Sequence, residues 1–64
     1  MDQVRRALQH PDRTERDADD PGLTHALRRF HRARGPAVLR VVYNHLATPW
    51  RVVTVFFDRR AGRR

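Results

Sequence analysis

Sixty-four residues without a cysteine allow one small domain, held by its own packing rather than by disulfides or thiolate metal sites. All fourteen basic residues are arginine, set against seven acids for a net charge of +7, and lysine, isoleucine and serine are absent. No apolar run approaches the ~18 residues of a membrane span and "MDQVRR" has no secretory character, so a bacterial-type cytoplasmic protein, away from membranes, is expected.

The charge is unevenly placed. Residues 1–24 hold four arginines and six acids, net −2; residues 25–64 hold ten arginines and Asp58, net +9; together these give +7. A basic half of this kind attracts polyanions, RNA and DNA first. Its competitor is a general solubilising role in an arginine-rich, GC-rich coding context.

In chain order, "DQVRRALQHP" places Val4, Ala7 and Leu8 at i, i+3 and i+4, one stripe of a helix over about 2–10. Asp2 suits its first turn and Pro11 ends it. Two to three turns are not stable alone, so the helix must dock on an apolar surface. "PDRTERDADDPG" reads as a loop with one edge strand around Thr14 to Asp17. Asp17, Asp19 and Gly22 faintly resemble the start of a calcium loop, but an arginine stands where the bidentate glutamate belongs, and a solvated acidic loop is preferred.

"GLTHALRRFHRARGP" is ambiguous. Leu23, Ala26, Leu27 and Phe30 follow a helix template, and the strand template fits less well, so periodicity alone predicts a helix. "RGP" then makes a turn. The remainder reads as a hairpin, with strands over about 38–45 and 51–58 joined by "LATPW". Pairing residues whose numbers sum to 96 sets Leu39 opposite Phe57, Val41 opposite Val55 and Tyr43 opposite Val53, an all-apolar face. The reverse face pairs Arg40 with Phe56, Val42 with Thr54 and Asn44 with Val52. A one-residue slip would lose this separation.

"LRVVYN" and "VVTVFFDRR", preceded by "ALQHPDR" and an acidic loop, resemble a bacterial family of small domains of unknown function grouped with the RelE, ParE and BrnT toxin-like proteins. The likeness runs from about Val4 to Arg60 and consists mostly of strand chemistry. It implies a helix on a small antiparallel meander, and it turns the ambiguous segment into a strand over about 23–31. Members of that group usually carry a further helical segment ahead of this helix, with His and Arg, which has no match here; no role is carried over from it.

Serine and cysteine nucleophiles are absent, the acids are not a facing pair, and His10, His25, His31 and His45 show no ligand spacing. Neither a metal nor another cofactor is expected. Metal-free RNA cleavage, as in a toxin-like nuclease, needs a base, an acid and cations for the phosphorane. His45, with Tyr43 beside it, and Arg51, Arg59 and Arg60 are the candidates. Arg40, Trp50, Arg51, Arg59, Arg60, Arg63 and Arg64 are the candidate nucleic-acid contacts. Each has a plainer alternative: Tyr43 as core, His45 as a loop residue, Arg40 in a cation–π pair with Phe56, Trp50 as a cap on the hairpin, and the last arginines as a frayed tail.

The expectation is therefore an α+β, RelE-like domain, with one N-terminal helix against a three- to four-stranded antiparallel sheet. It would act as a homodimer or with an antitoxin-like protein partner. RNA binding is the leading function, with ribonuclease toxin activity in a toxin–antitoxin pair as its sharper form. A non-catalytic protein–protein interaction or oligomerisation module is the alternative.

Overall fold

The computed structural model describes residues 2–33 and 35–59. One helix, α1 (Asp2–Gln9), is followed by four strands: β1 (Arg13–Arg16), β2 (Leu23–Arg32), β3 (Gly35–Asn44) and β4 (Arg51–Asp58). The strands form one antiparallel sheet in the order β1-β2-β3-β4, so the chain is an α+β meander with β1 and β4 at its edges. Among the described residues no helix is long and apolar enough to cross a membrane.

The segment with helical periodicity is a strand. β2 pairs with β1 on one side, Thr14 opposite Ala26, and with β3 on the other, Ala26 opposite Val41. Adjacent residues Ala26 and Leu27 are both buried, one on each face. A strand that buries apolar groups on both faces loses its alternation, and here the apolar positions fall into an i, i+3, i+4, i+7 spacing by coincidence. The turn after it is tighter than "RGP" suggests, because pairing runs on to Arg32 opposite Gly35. Gly35 has φ of 109°, a conformation that L residues rarely adopt.

α1 lies over β2 and β3. Ala7, fully buried, meets Leu39 and Val41, and Val4, Leu8, Phe30 and Phe57 close around them. His10 N–H still donates to the Arg6 carbonyl at 2.8 Å, after which Pro11 lets the chain leave. Along β3–β4 the expected register holds from Leu39–Phe57 to Val42–Thr54 and then shifts by one. Tyr43 faces Val52 rather than Val53, and Asn44 faces Arg51 rather than Val52, so Val53 is the extra residue of a β-bulge. With that residue taken up, the Trp50 ring stacks on Tyr43 at a centroid distance of 4.6 Å.

The apolar face is only partly covered. Tyr43 is buried and Phe57 half-buried, whereas Val53 and Val55 on the same side remain 56% and 39% exposed. Phe56 on the reverse side is 46% exposed. A helix about 10 Å wide spans roughly two strands at ~4.8 Å spacing, so an eight-residue helix cannot reach across four.

Candidate nucleic-acid interface

Alternation along β2 sends Ala26, Arg28, Phe30 and Arg32 to the helix side of the sheet. Phe30 enters the core, while the two arginines lie over aromatic rings. Arg28 sits 5.6 Å from the Phe30 centroid and donates to the His10 carbonyl at the end of α1. The Arg32 guanidinium lies 4.3 Å from the Phe57 centroid. Arg59, just past β4, closes the far wall. Together Arg32, Ala33, Gly35, Pro36, Ala37, Phe57 and Arg59 line a cleft of about 480 Å³ at the β2–β3 hairpin end. No carboxylate is among these residues, so the two exposed cations face a ring and open solvent.

The other end of the sheet has a different character. Asp17, Asp19 and Asp20 lie in the loop between β1 and β2, and Asp17 Oδ2 accepts from the amides of Asp19 and Asp20 at 3.1 and 3.0 Å. His45 is joined to this end: its N–H donates to the Gly22 carbonyl, and its Nδ1 is 2.8 Å from Thr24 Oγ1. Trp50 and Arg51 are also here, at the start of β4, with Trp50 53% exposed despite its stack on Tyr43. The ring is thus half cap and half open platform.

The candidate catalytic set is dispersed by this arrangement. His45 and Arg51 share the acidic end, whereas Arg59 is eight residues along an extended strand, roughly 25 Å away. Arg60, Arg63 and Arg64 lie outside the described residues.

Arg40 is turned inward. On the face away from α1 its Nε donates to Asp58 Oδ2 at 2.7 Å, and its Nη1 reaches Glu15 Oε1 at 3.2 Å and His25 Nδ1 at 2.8 Å. Its side chain is only 15% exposed, matching that of Asp58. Arginine can only donate, so His25 Nδ1 accepts and Nε2 carries the proton directed at Asp17 Oδ1, 2.7 Å away. One guanidinium therefore ties β1, β2 and β4 to β3. The His25 hydrogen bond, then the Asp20 and Asp19 amides, hold the Asp17 carboxyl below the usual range. The expected cation–π contact between Arg40 and Phe56 gives way to this network, because a desolvated guanidinium gains more from carboxylates than from a ring.

Arg32 and Phe57 were not candidates from sequence, though "RRFHR" carries the signal: residues 28, 30 and 32 alternate cation, ring, cation on one side of a strand. Among the described residues no three His, Asp or Glu side chains gather as a metal site. No protein-family model, curated protein or solved structure matches the chain. These comparisons lend no support to the expected likeness to the toxin-like group, and no residue takes its role from it.

Proposed function

We propose that this domain binds single-stranded nucleic acid, RNA in the first instance, at the β2–β3 hairpin end of its sheet. The observation that carries the proposal is the cleft where Arg32 and Arg59 flank the Phe57 ring with no acid among the lining residues. Cations that track phosphates beside a π face are what sequence-tolerant single-strand binding requires. The acidic loop sits at the opposite end, which orients a polyanion toward the hairpin. The proposal is binding and not cleavage, since within one copy His45 and Arg59 lie too far apart to share a phosphate.

Fluorescence anisotropy with a labelled oligouridine tests it. Binding should be measurable at about 50 mM salt and weaken steeply by about 200 mM. Each of Arg32→Ala and Arg59→Ala should reduce the slope of log K against log salt by about 0.7. No binding at the lower salt, or a double variant with the wild-type slope, refutes the site.

A further inference from the structure

The two sheet edges are built differently. β1 is four residues of Arg-Thr-Glu-Arg, with Arg13 and Glu15 paired at 3.2 Å, a charged edge of the kind that resists strand addition. β4 is eight residues long and carries no charge between Arg51 and Asp58. Val52, Val53, Val55 and Phe56 are 41%, 56%, 39% and 46% exposed along it, on both faces. With Trp50 they present on the order of 400 Å² of apolar surface, as large as the main patch of a typical monomer.

We propose that β4 pairs antiparallel with β4 of a second copy, and that each copy completes the nucleic-acid cleft of the other. The second clause rests on the cleft proposed above; the first does not. The strand is self-complementary about a two-fold axis at Val55. Val55 then faces its own mate, Val53 faces Phe57 of the second copy, and Thr54 faces Phe56 of the second copy. Each such pair lies on one side of the sheet, as opposed residues in an antiparallel ladder must. The bulge at Val53 shifts the count beyond it by one, bringing Arg51 across from Asp58 of the second copy. Opposite charges therefore meet at both ends of the seam. Doubling the strip and adding the paired backbone gives about 1,000 Å² in total, at the threshold for a specific interface and below the standard size, which fits a dimer formed at micromolar concentration.

The same pairing has a consequence for the site. Arg59 follows β4 of one copy directly and Trp50 precedes β4 of the other, so the antiparallel seam sets them side by side. A groove would run from Arg32 and Phe57 across Arg59 onto Trp50 of the second copy, which stacks on the helix side of its own sheet, twice per dimer. The residues that one copy holds roughly 25 Å apart are brought together by two.

The chain has no cysteine, so single-cysteine variants report the seam directly. Val55→Cys should form a disulfide-linked dimer under mild oxidation, because residues facing across strands lie within bridging distance. Val53→Cys should not, its mate lying about 13 Å along the strand. Sedimentation at about 100 µM should show a dimer. A monomer at that concentration, which would leave β4 to a strand of another protein, or equal crosslinking of the two variants, overturns the dimer. For the groove, Val55→Asp should be monomeric and bind oligouridine about tenfold more weakly, and Trp50→Ala should cost about tenfold in the wild-type background only. Val53→Glu, at the most exposed valine, replaces Val55→Asp if that variant does not fold. Wild-type affinity in a folded monomer refutes the shared groove while leaving the single cleft standing. A dimer in which Arg32→Ala and Arg59→Ala leave RNA binding unchanged refutes the cleft while leaving the seam standing.

Discussion

Replacing Arg40 should damage the fold and spare nucleic-acid binding, the reverse of what a phosphate contact would do. Arg40→Met keeps the length and most of the apolar stem while removing the charge and every donor. The Asp58 contact dominates the loss, because both partners are 15% exposed and the hydrogen bond is 2.7 Å long. A bond between charged groups in such a setting contributes ~1.5–3 kcal/mol. Glu15 is 42% exposed, so its 3.2 Å contact adds less than about 1 kcal/mol. The His25 contact adds ~1 kcal/mol, for a sum near 3 kcal/mol. In a domain of this size that lowers Tm by on the order of 10–20 °C. Thermal unfolding followed by circular dichroism measures the shift, and anisotropy below the new Tm should give unchanged RNA affinity. A Tm change under about 3 °C, or tenfold weaker RNA binding in a folded variant, would show that Arg40 does not act as a cross-strand tie.

Gly35→Ala tests the β2–β3 hairpin: with φ at 109° and open space around a new Cβ, the cost is backbone strain alone, about 1–2 kcal/mol, and a neutral result in chemical denaturation would contradict the turn geometry. Asp17 supplies a pH dependence. Its carboxyl is held low when folded, so its contribution is present above the unfolded value near ~3.9 and is lost as pH falls through the folded value. Melts between about pH 5 and pH 2.5 should therefore fall more steeply for wild type than for Asp17→Asn, and parallel curves would exclude this carboxyl as a source of acid lability.

Much of the fold was legible because the last two strands are locally unambiguous. β-branched and aromatic residues fill 52–57 and all of 38–43 but Leu39 and Arg40, and only one register keeps the apolar face together through Leu39, Val41, Val55 and Phe57. β2 was not legible from periodicity, since residues buried on both faces imitate a helical stripe. The bulge was not legible: nothing in "YNHLATPWRVV" says that Trp50 will fold back over Tyr43 and shift the ladder by one residue. The position of Arg40 was hidden for a related reason. Its partners Glu15, His25 and Asp58 are 25, 15 and 18 residues away, and only the completed sheet brings them to one guanidinium. The cleft escaped notice because the run of arginines at the C-terminus draws attention from Arg32, whose value comes from reaching Phe57 across β3.

The contrast between β1 and β4 is not a matter of composition. This chain has arginine to spare, and its other edge uses two of them in four residues. A single arginine at Val53 would protect β4 at little cost, because that side chain is already 56% exposed. An unguarded apolar edge beside a helix too small to cover it is a liability in a monomer and an asset in a pair. In the proposed pair Trp50, which one copy holds at its acidic end, would stand beside Arg59 of the other.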